Sequence, residues 1–329
     1  FPAVAALFIA LSAHASSRTE VFSPDGRISV TIQDGAYCLT VDGRAAMSSS
    51  IAELKLSDGR TFGMSAKARR TRLSRSPKKE LISSPFYRQE SFIFEYNSLT
   101  LDFGKGWGME WIVSDQGAAY RFFGGEPGVS TTVTDETASF VFNDDCELTM
   151  AYSTNKKKPY AMAFQNTYKT ERLSKADATI PAFLPASINT GGARVTILES
   201  DIQSYPVMFV RPEKGFTAIA GEFPAYPSAY DRYQGRQQQY VTETKDFICT
   251  FEGVRTFPWR ILAVSREDTE MPVNDLVYAL AEPSRIDDTS WIKPGFSAWE
   301  WWNDWGLTGV DFKAGINMPT YRKYIDFAS

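Results

Sequence analysis

From about Val21 to Glu282, apolar residues recur at alternate positions in short runs separated by turn residues, the period-two pattern of half-buried strands. Phe22-Ser23-Pro24-Asp25-Gly26-Arg27-Ile28-Ser29-Val30-Thr31-Ile32 reads as a Pro-Asp-Gly turn feeding a strand. Gln33-Asp34-Gly35-Ala36-Tyr37-Cys38-Leu39-Thr40-Val41 repeats the idea, with Asp-Gly as the hairpin signal. Three more alternating runs follow at 91–96, 99–103 and 117–123, and Gly104-Lys105-Gly106-Trp107-Gly108 between two of them reads as a hairpin turn. Lys156-Lys157-Lys158-Pro159 is an exposed loop by composition. Ala193 to Glu199 is again a strand, ending on a carboxylate, and a further one follows Asp201. One helix is expected over Pro272–Leu280, with Asn274 or Asp275 as its cap and Pro283 closing it. Closely spaced strands with few helical periods indicate a mostly β fold, a large antiparallel sandwich.

After Pro283 the pattern changes. Trp291 to Trp302 reads as a strand, Met318 to Ser329 as a helix, and a loop carrying Asp311 and Lys313 lies between. Strand, loop and helix are the repeat unit of a (β/α)8 barrel, whose ligand chemistry sits on loops at the C-terminal ends of strands. One unit cannot make a barrel, so the barrel is expected to continue past Ser329. The organisation read from the chain is therefore residues 1–15 as the remnant of a signal peptide, 16–283 as the sandwich, and 284–329 as the start of a truncated barrel.

The signal-peptide reading rests on the apolar run Phe1 to Leu11 and the A-x-A pattern Ala13-His14-Ala15. The run is shorter than the roughly 20 residues of a membrane span, so export to a periplasm or cell exterior is expected, with cleavage near Ala15 and no membrane span. At 329 residues, 43% hydrophobic and 14% aromatic, the chain has ample material for a packed core. Its net charge of −4 argues against a nucleic-acid or anionic-membrane partner. The basic run Lys67 to Arg75 reads as a solvated loop or edge strand. The three cysteines, Cys38, Cys146 and Cys249, are too far apart for a CxxC motif and read as small buried hydrophobes. Because the one histidine, His14, falls in the segment expected to be removed, a Ser-His-Asp triad or a His-ligated zinc built from these residues alone is excluded.

Five of the eight tryptophans fall between Trp291 and Trp305, interleaved with Glu300, Asn303 and Asp304. Flat aromatic faces beside directional polar groups suit a sugar, whose ring has an apolar C–H face and a hydroxyl rim. A tryptophan cluster is also what a core contains. Side chains alternate along a strand, however, so Trp299, Trp301 and Trp302 cannot all face one way. Asp304, Asp311 and Lys313 complete the candidate substrate-binding set, although Lys313 would equally serve as an ion-pair partner of Asp311. Glu199 is a strand-end carboxylate followed by Asp201, a pattern shared with ordinary surface acids. The acidic group Asp144, Asp145 and Glu147 lacks calcium-loop spacing and reads as a solvated turn.

Together these features resemble glycoside hydrolase family 97. The front marker is Ser23-Pro24-Asp25-Gly26, and the middle markers are Gln165-Asn166-Thr167, Ile197-Leu198-Glu199-Ser200-Asp201 and Phe257-Pro258-Trp259-Arg260. The strongest match runs from Trp291-Ile292-Lys293-Pro294-Gly295 through Gly309-Val310-Asp311-Phe312-Lys313-Ala314-Gly315-Ile316-Asn317. The resemblance implies an N-terminal β-supersandwich, a central (β/α)8 barrel and exo-acting hydrolysis of terminal α-linked sugars in an oligosaccharide, assisted by calcium. It implies that Glu199 is the one calcium ligand lent by the sandwich, and that Trp301 and Trp302 lie on the first barrel strand, where a tryptophan contacts substrate. It places the catalytic carboxylates on later strands, downstream of residue 329. Trp299-Glu300-Trp301-Trp302-Asn303-Asp304 resembles the retaining, α-galactosidase-leaning branch; an inverting α-glucosidase and a non-catalytic carbohydrate-binding sandwich are the alternatives. The His-Glu-Ala of many members reads Leu198-Glu199-Ser200 here, and the pair Tyr205-Pro206 is also a departure.

Overall fold

Every described strand pair in the computed structural model is antiparallel, as short strands joined by tight turns require. The structure describes residues 18–74, 76–83, 87–161, 165–234, 239–295, 299 and 306–329. The expected leader at 1–15 thus lies outside the described residues.

Thr19–Phe22, Ile28–Gln33, Ala36–Val41 and Arg44–Ser50 form a four-stranded meander in sequence order. Its turns follow from their residues. Asp34-Gly35 and Asp42-Gly43 place two successive residues at positive φ, the two-residue hairpin geometry that Asp-Gly favours. In the first turn the Ser23 hydroxyl donates to Asp25 and accepts the Ile28 N–H, while Gly26 takes a φ of 74°.

A fifteen-stranded sheet faces the meander. Its longest member, Gly117–Val141, pairs along its first part with Trp107–Ser114 and Trp259–Ser265. Further along it pairs with Cys249–Thr256, Ala52–Leu56 and Ala218–Glu222, and its register shifts between Glu126 and Ser130. Such a bulge bends a strand and lets it serve different partners at its two ends. The runs expected at 91–96 and 99–103 fuse into one strand, Ser91–Gly104, and the Gly104–Trp107 turn joins it to Trp107–Ser114 as read.

The main core lies between the two sheets, where Val21, Val30 and Leu39 of the meander meet Trp111, Tyr120, Phe140, Ile188, Val195 and Leu262. A second core forms on the opposite face of the large sheet: Phe94, Ile112, Ala119, Trp259 and Ile261 pack against Leu276, Ala279 and Leu280 of a short helix. The helix expected over Pro272–Leu280 is in fact two pieces, a 3-10 turn at Asp268–Val273 and an α-helix at Leu276–Leu280. The Asp275 carboxylate does not cap it, because Arg88 and the Tyr87 hydroxyl take both of its oxygens at 2.7 Å.

The basic run forms the exposed edge strand Arg70–Leu73, hydrogen-bonded to Leu99–Asp102. Charged edges of this kind discourage sheet-to-sheet aggregation. Cys146 and Cys249 are buried, Cys38 is half-buried, and all three are free thiols. Pro227–Arg232 and Gln239–Thr244 form a hairpin outside both sheets.

Residues up to Glu282 form one compact unit and Pro283–Ser329 a second. In the second unit the helix Met318–Ala328 is present, and the Asn317 carboxamide oxygen caps it by accepting the Thr320 N–H at 3.1 Å. The described part of the expected strand at 291–302 is not strand: Trp291–Gly295 and Trp299 belong to no described strand. A strand needs a hydrogen-bonded neighbour, and the described residues of this unit contain no other strand to supply one.

Candidate functional site

The strand Arg194–Ser200 carries Glu199 one residue from its end, directly opposite Arg260 of Trp259–Ser265. Leu198, Trp259 and Ile261 flank the pair, which is enclosed. Arg260 is 1% exposed and the Glu199 side chain 8%. Arg260 Nη1 donates to Glu199 Oε2 at 2.6 Å. Its Nε and Nη2 donate to the two oxygens of Glu136 at 2.7 and 2.8 Å, the bidentate fork that a guanidinium makes with a carboxylate. The Tyr205 hydroxyl donates to Glu136 Oε2 at 2.7 Å, and the Met208 N–H is shared between the two oxygens of Glu199. The Arg260 guanidinium lies 4.8 Å from the centre of the Phe223 ring.

Two carboxylates share one guanidinium, so the group holds one more carboxylate than it has cations. Burial pushes the Glu199 pKa up, against the pull of Arg260 and the Met208 N–H, with the Glu136 charge adding to the rise. Burial raises the Tyr205 hydroxyl far above its ordinary value, and Glu136 adds to that. For Arg260 burial works against the charge, but Glu136 and Glu199 outweigh it and the guanidinium stays protonated.

The loop after Glu199 is strained. Asp201 and Ser204 adopt φ of 60° and 48°, a region that costs a non-glycine residue about 1 kcal/mol or more and that concentrates at ligand sites. It is held by Arg255, which donates to the carbonyls of Gln203 at 2.6 Å and Ser204 at 3.2 Å. Gln203 in turn donates to Asp201 and Glu282. Beside this loop is a polar cleft of about 410 Å³ lined by Asp201, Gln203, Glu252, Arg255 and Glu282, among others.

No group of three or more His, Cys, Asp or Glu side chains able to hold a metal ion occurs among the described residues. Calcium takes roughly six to eight oxygens, so these residues do not form a calcium site by themselves. They fit the narrower role of lending one ligand. Glu199 Oε1 accepts only a share of one N–H among the described residues, and two carboxylates sharing a single guanidinium suit a further cation there. Asp145, in the other acidic group, is committed to the Ser174 N–H and hydroxyl at 2.8 Å, which lower its pKa.

Of the candidate sugar-binding residues, Trp301, Trp302 and Asp304 lie outside the described residues. Asp311 and Lys313 are both exposed, and no ion pair joins them among the described residues. Trp291 and Trp299 are exposed as well. Glu199 and this set fall in different units. Sequence reasoning gave no role to Arg260, Glu136 or Tyr205. A signal for Arg260 was available: a lone arginine in the run Trp259-Arg260-Ile261-Leu262-Ala263-Val264 demands a buried acidic partner.

The sheet order, the acidic strand end and its arginine can be set beside known proteins. The family described as Glycosyl-hydrolase 97 N-terminal matches residues 21–283. The chain belongs to glycoside hydrolase family 97. It is 38% identical to a protein named retaining alpha-galactosidase from Bacteroides thetaiotaomicron, over 97% of this chain and 49% of that one. It is 28% identical to a probable retaining alpha-galactosidase from Streptomyces bingchenggensis, over 66% of this chain and 28% of that one. The chain thus spans about half the length of the Bacteroides protein and less of the Streptomyces one. A solved family 97 enzyme from Pseudoalteromonas sp. strain K8, in complex with acarbose, superposes with a TM-score of 0.74 at 18% identity, over 94% of this chain and 45% of that one. That likeness shows the fold.

Proposed function

We propose that this chain is the N-terminal part of an exported, exo-acting α-glycosidase, α-galactosidase-like and retaining, that hydrolyses terminal α-linked sugars of oligosaccharides with the help of calcium. The observation that carries the reading is the 38% identity, sustained along nearly the whole chain, to a retaining alpha-galactosidase. Cleavage of a glycosidic bond with retention needs two carboxyl groups about 5 to 5.5 Å apart, one as nucleophile and one as acid and then base. In this proposal the rest of the protein supplies them. The sandwich contributes Glu199 as one calcium ligand, and two carboxylates sharing a single guanidinium support that role. When bound, the ion supplies fixed positive charge close to the reacting sugar. Arg260 holds the Glu199 carboxylate in place through Oε2, and Oε1, which accepts only a share of the Met208 N–H, keeps lone-pair capacity for the cation. The segment Trp291–Asn317 is proposed as the start of the barrel, with Trp301 and Trp302 stacking on the sugar face and Asp304, Asp311 and Lys313 meeting its hydroxyl rim.

The test is turnover by the full-length protein of a nitrophenyl α-galactoside against the matching α-glucoside. The galactoside is expected to have the larger kcat/KM by at least about tenfold, a difference available from one well-placed hydroxyl contact. Preference for the glucoside, or no turnover of either, overturns the reading.

Glu199→Gln should lower calcium affinity in titration calorimetry and lower turnover, yet cost the sandwich only about 1 kcal/mol, the value of a typical hydrogen bond. The small cost follows because the variant leaves Glu136 and Arg260 as a neutral pair. Calcium affinity equal to that of the unaltered protein would remove Glu199 from the shell. Trp301→Ala or Trp302→Ala should raise KM for the galactoside by about 1 to 3 kcal/mol of lost ring contact, at whichever ring faces the sugar. If neither variant changes KM, both rings belong to the core.

A further inference from the structure

A groove of about 670 Å³ opens on the sandwich beside the hairpin Pro227–Thr244, and no lining residue carries a charge. Its walls are tyrosine and proline: Tyr160, Tyr205 and Tyr226 supply rings, Pro206 and Pro227 stiffen the backbone, and Val241 closes the hairpin side. The size falls within the range of small-molecule sites, roughly 300–1,000 Å³. The rings are fixed before anything binds. The Tyr160 hydroxyl donates to Glu222, and its ring stands edge-on to Phe209 at 4.8 Å. The Tyr205 hydroxyl is anchored on the buried Glu136, and its ring meets Phe257 at 87°. Tyr226 packs 5.1 Å from Phe247, donates its N–H to the Phe247 carbonyl and accepts the Lys245 N–H.

Two kinds of surface meet here. Exposed ring faces suit the C–H side of a pyranose, with Tyr160 36% and Tyr226 39% exposed. Ser204, Tyr226 and Thr250 line the same groove, and no hydrogen bond joins their hydroxyls to another described residue, so they are polar groups that a hydroxylated ligand can use. An apolar peptide would leave those hydroxyls unmatched, and no lining residue offers an anionic or cationic ligand a counter-charge, since Arg255 and Glu222 lie behind the wall, bonded to Ser204 and Tyr160. We propose that this groove binds an uncharged oligosaccharide, its rings stacking on Tyr226 and Tyr160. Low entropic cost favours this, because the rings and prolines are already held. Only the choice of test sugar rests on the function proposed above.

The experiment is hydrogen exchange of the full-length protein with a thio-linked, hydrolysis-resistant α-galactosyl disaccharide, and with a galacturonic acid disaccharide as the charged comparator. Slowed exchange is expected at 204–209, 224–227 and 239–250 with the neutral sugar and not with the charged one. Tyr226→Ala should weaken that protection about tenfold in apparent Kd, whereas Tyr226→Phe should keep most of it, because the ring is retained. No protection at saturating sugar, or equal protection in Tyr226→Ala, overturns the proposal. So does protection that appears with protein concentration in the absence of sugar, which would assign the groove to a second copy. Turnover of the nitrophenyl α-galactoside, measured alongside, separates the two readings: turnover without protection here overturns the groove alone, and protection without turnover overturns the α-galactosidase alone.

Discussion

Arg260→Met should weaken the sandwich by about 3 to 5 kcal/mol at neutral pH, the cost of removing one partner from a buried charge pair. Methionine fills much of the same space, so lost packing is a minor part of the effect. The loss is electrostatic: Glu136 and Glu199 would face each other with no cation between them. Both carboxylates are almost wholly enclosed, with side chains 2% and 8% exposed. The effect should also depend on pH, with a definite sign. Glu199 already has a raised pKa, and without Arg260 it rises further. A carboxyl whose folded pKa exceeds its unfolded value favours the native state at low pH and loses that contribution as pH rises through the folded value. The variant's deficit should therefore be small near and below pH 4.5, the ordinary glutamate value, and grow above it. Arg260→Lys should fall between, because it keeps the charge and loses the fork. Opening free energies from native-state hydrogen exchange of Trp259–Ser265, measured with chelator present, give the comparison. A pH-independent deficit, or one under about 1 kcal/mol, would mean that the three groups do not act as a unit.

Trp111→Ala should cost a similar amount, about 3 to 5 kcal/mol, from cavity formation at a fully enclosed ring. Trp111 sits opposite Leu99 on one side and Tyr120 on the other, the three side chains sharing the inner face of the large sheet. Its ring lies 4.9 Å from both Tyr37 of the meander and Tyr120, so it joins the two layers. Trp111→Phe should cost a fraction of this. Phenylalanine keeps an aromatic ring between the sheets, and it removes an indole N–H that finds no acceptor among the described residues. Exchange rates of Leu39 and Tyr120 amides report on both layers at once. If alanine at 111 leaves them unchanged, the meander and the large sheet are not joined through this ring.

The strand pattern and its turns were legible because each depends on neighbours in sequence. Asp34-Gly35 and Asp42-Gly43 specify their hairpins within a few residues, and Gly104-Lys105-Gly106 does the same. What depends on distant residues was not legible. Ser91–Gly104 read as two runs because its buried face switches: Phe94 and Tyr96 enter one core, while Leu99, Leu101 and Phe103 enter the other. Of the two caps expected for the helix near Pro272, Arg88 and Tyr87, far back in the chain, claim the Asp275 carboxylate, while the Asn274 side-chain oxygen accepts the Leu276 N–H. Glu199 could be singled out as a strand-end acid, but its surroundings could not. Glu136 lies 124 positions from Arg260, and no local pattern links them. The triad became visible only when three strands met. Trp291–Asn317 is the reverse case, a segment dense in chemistry whose described residues show little regular structure outside the helix that follows.

The account turns most directly on the first sugar released. The full-length protein should be mixed with a nitrophenyl α-galactoside and the anomeric proton of the product followed by NMR before mutarotation. Galactose appearing first as the α-anomer is the predicted result. The β-anomer appearing first, or no galactose at all, would contradict it.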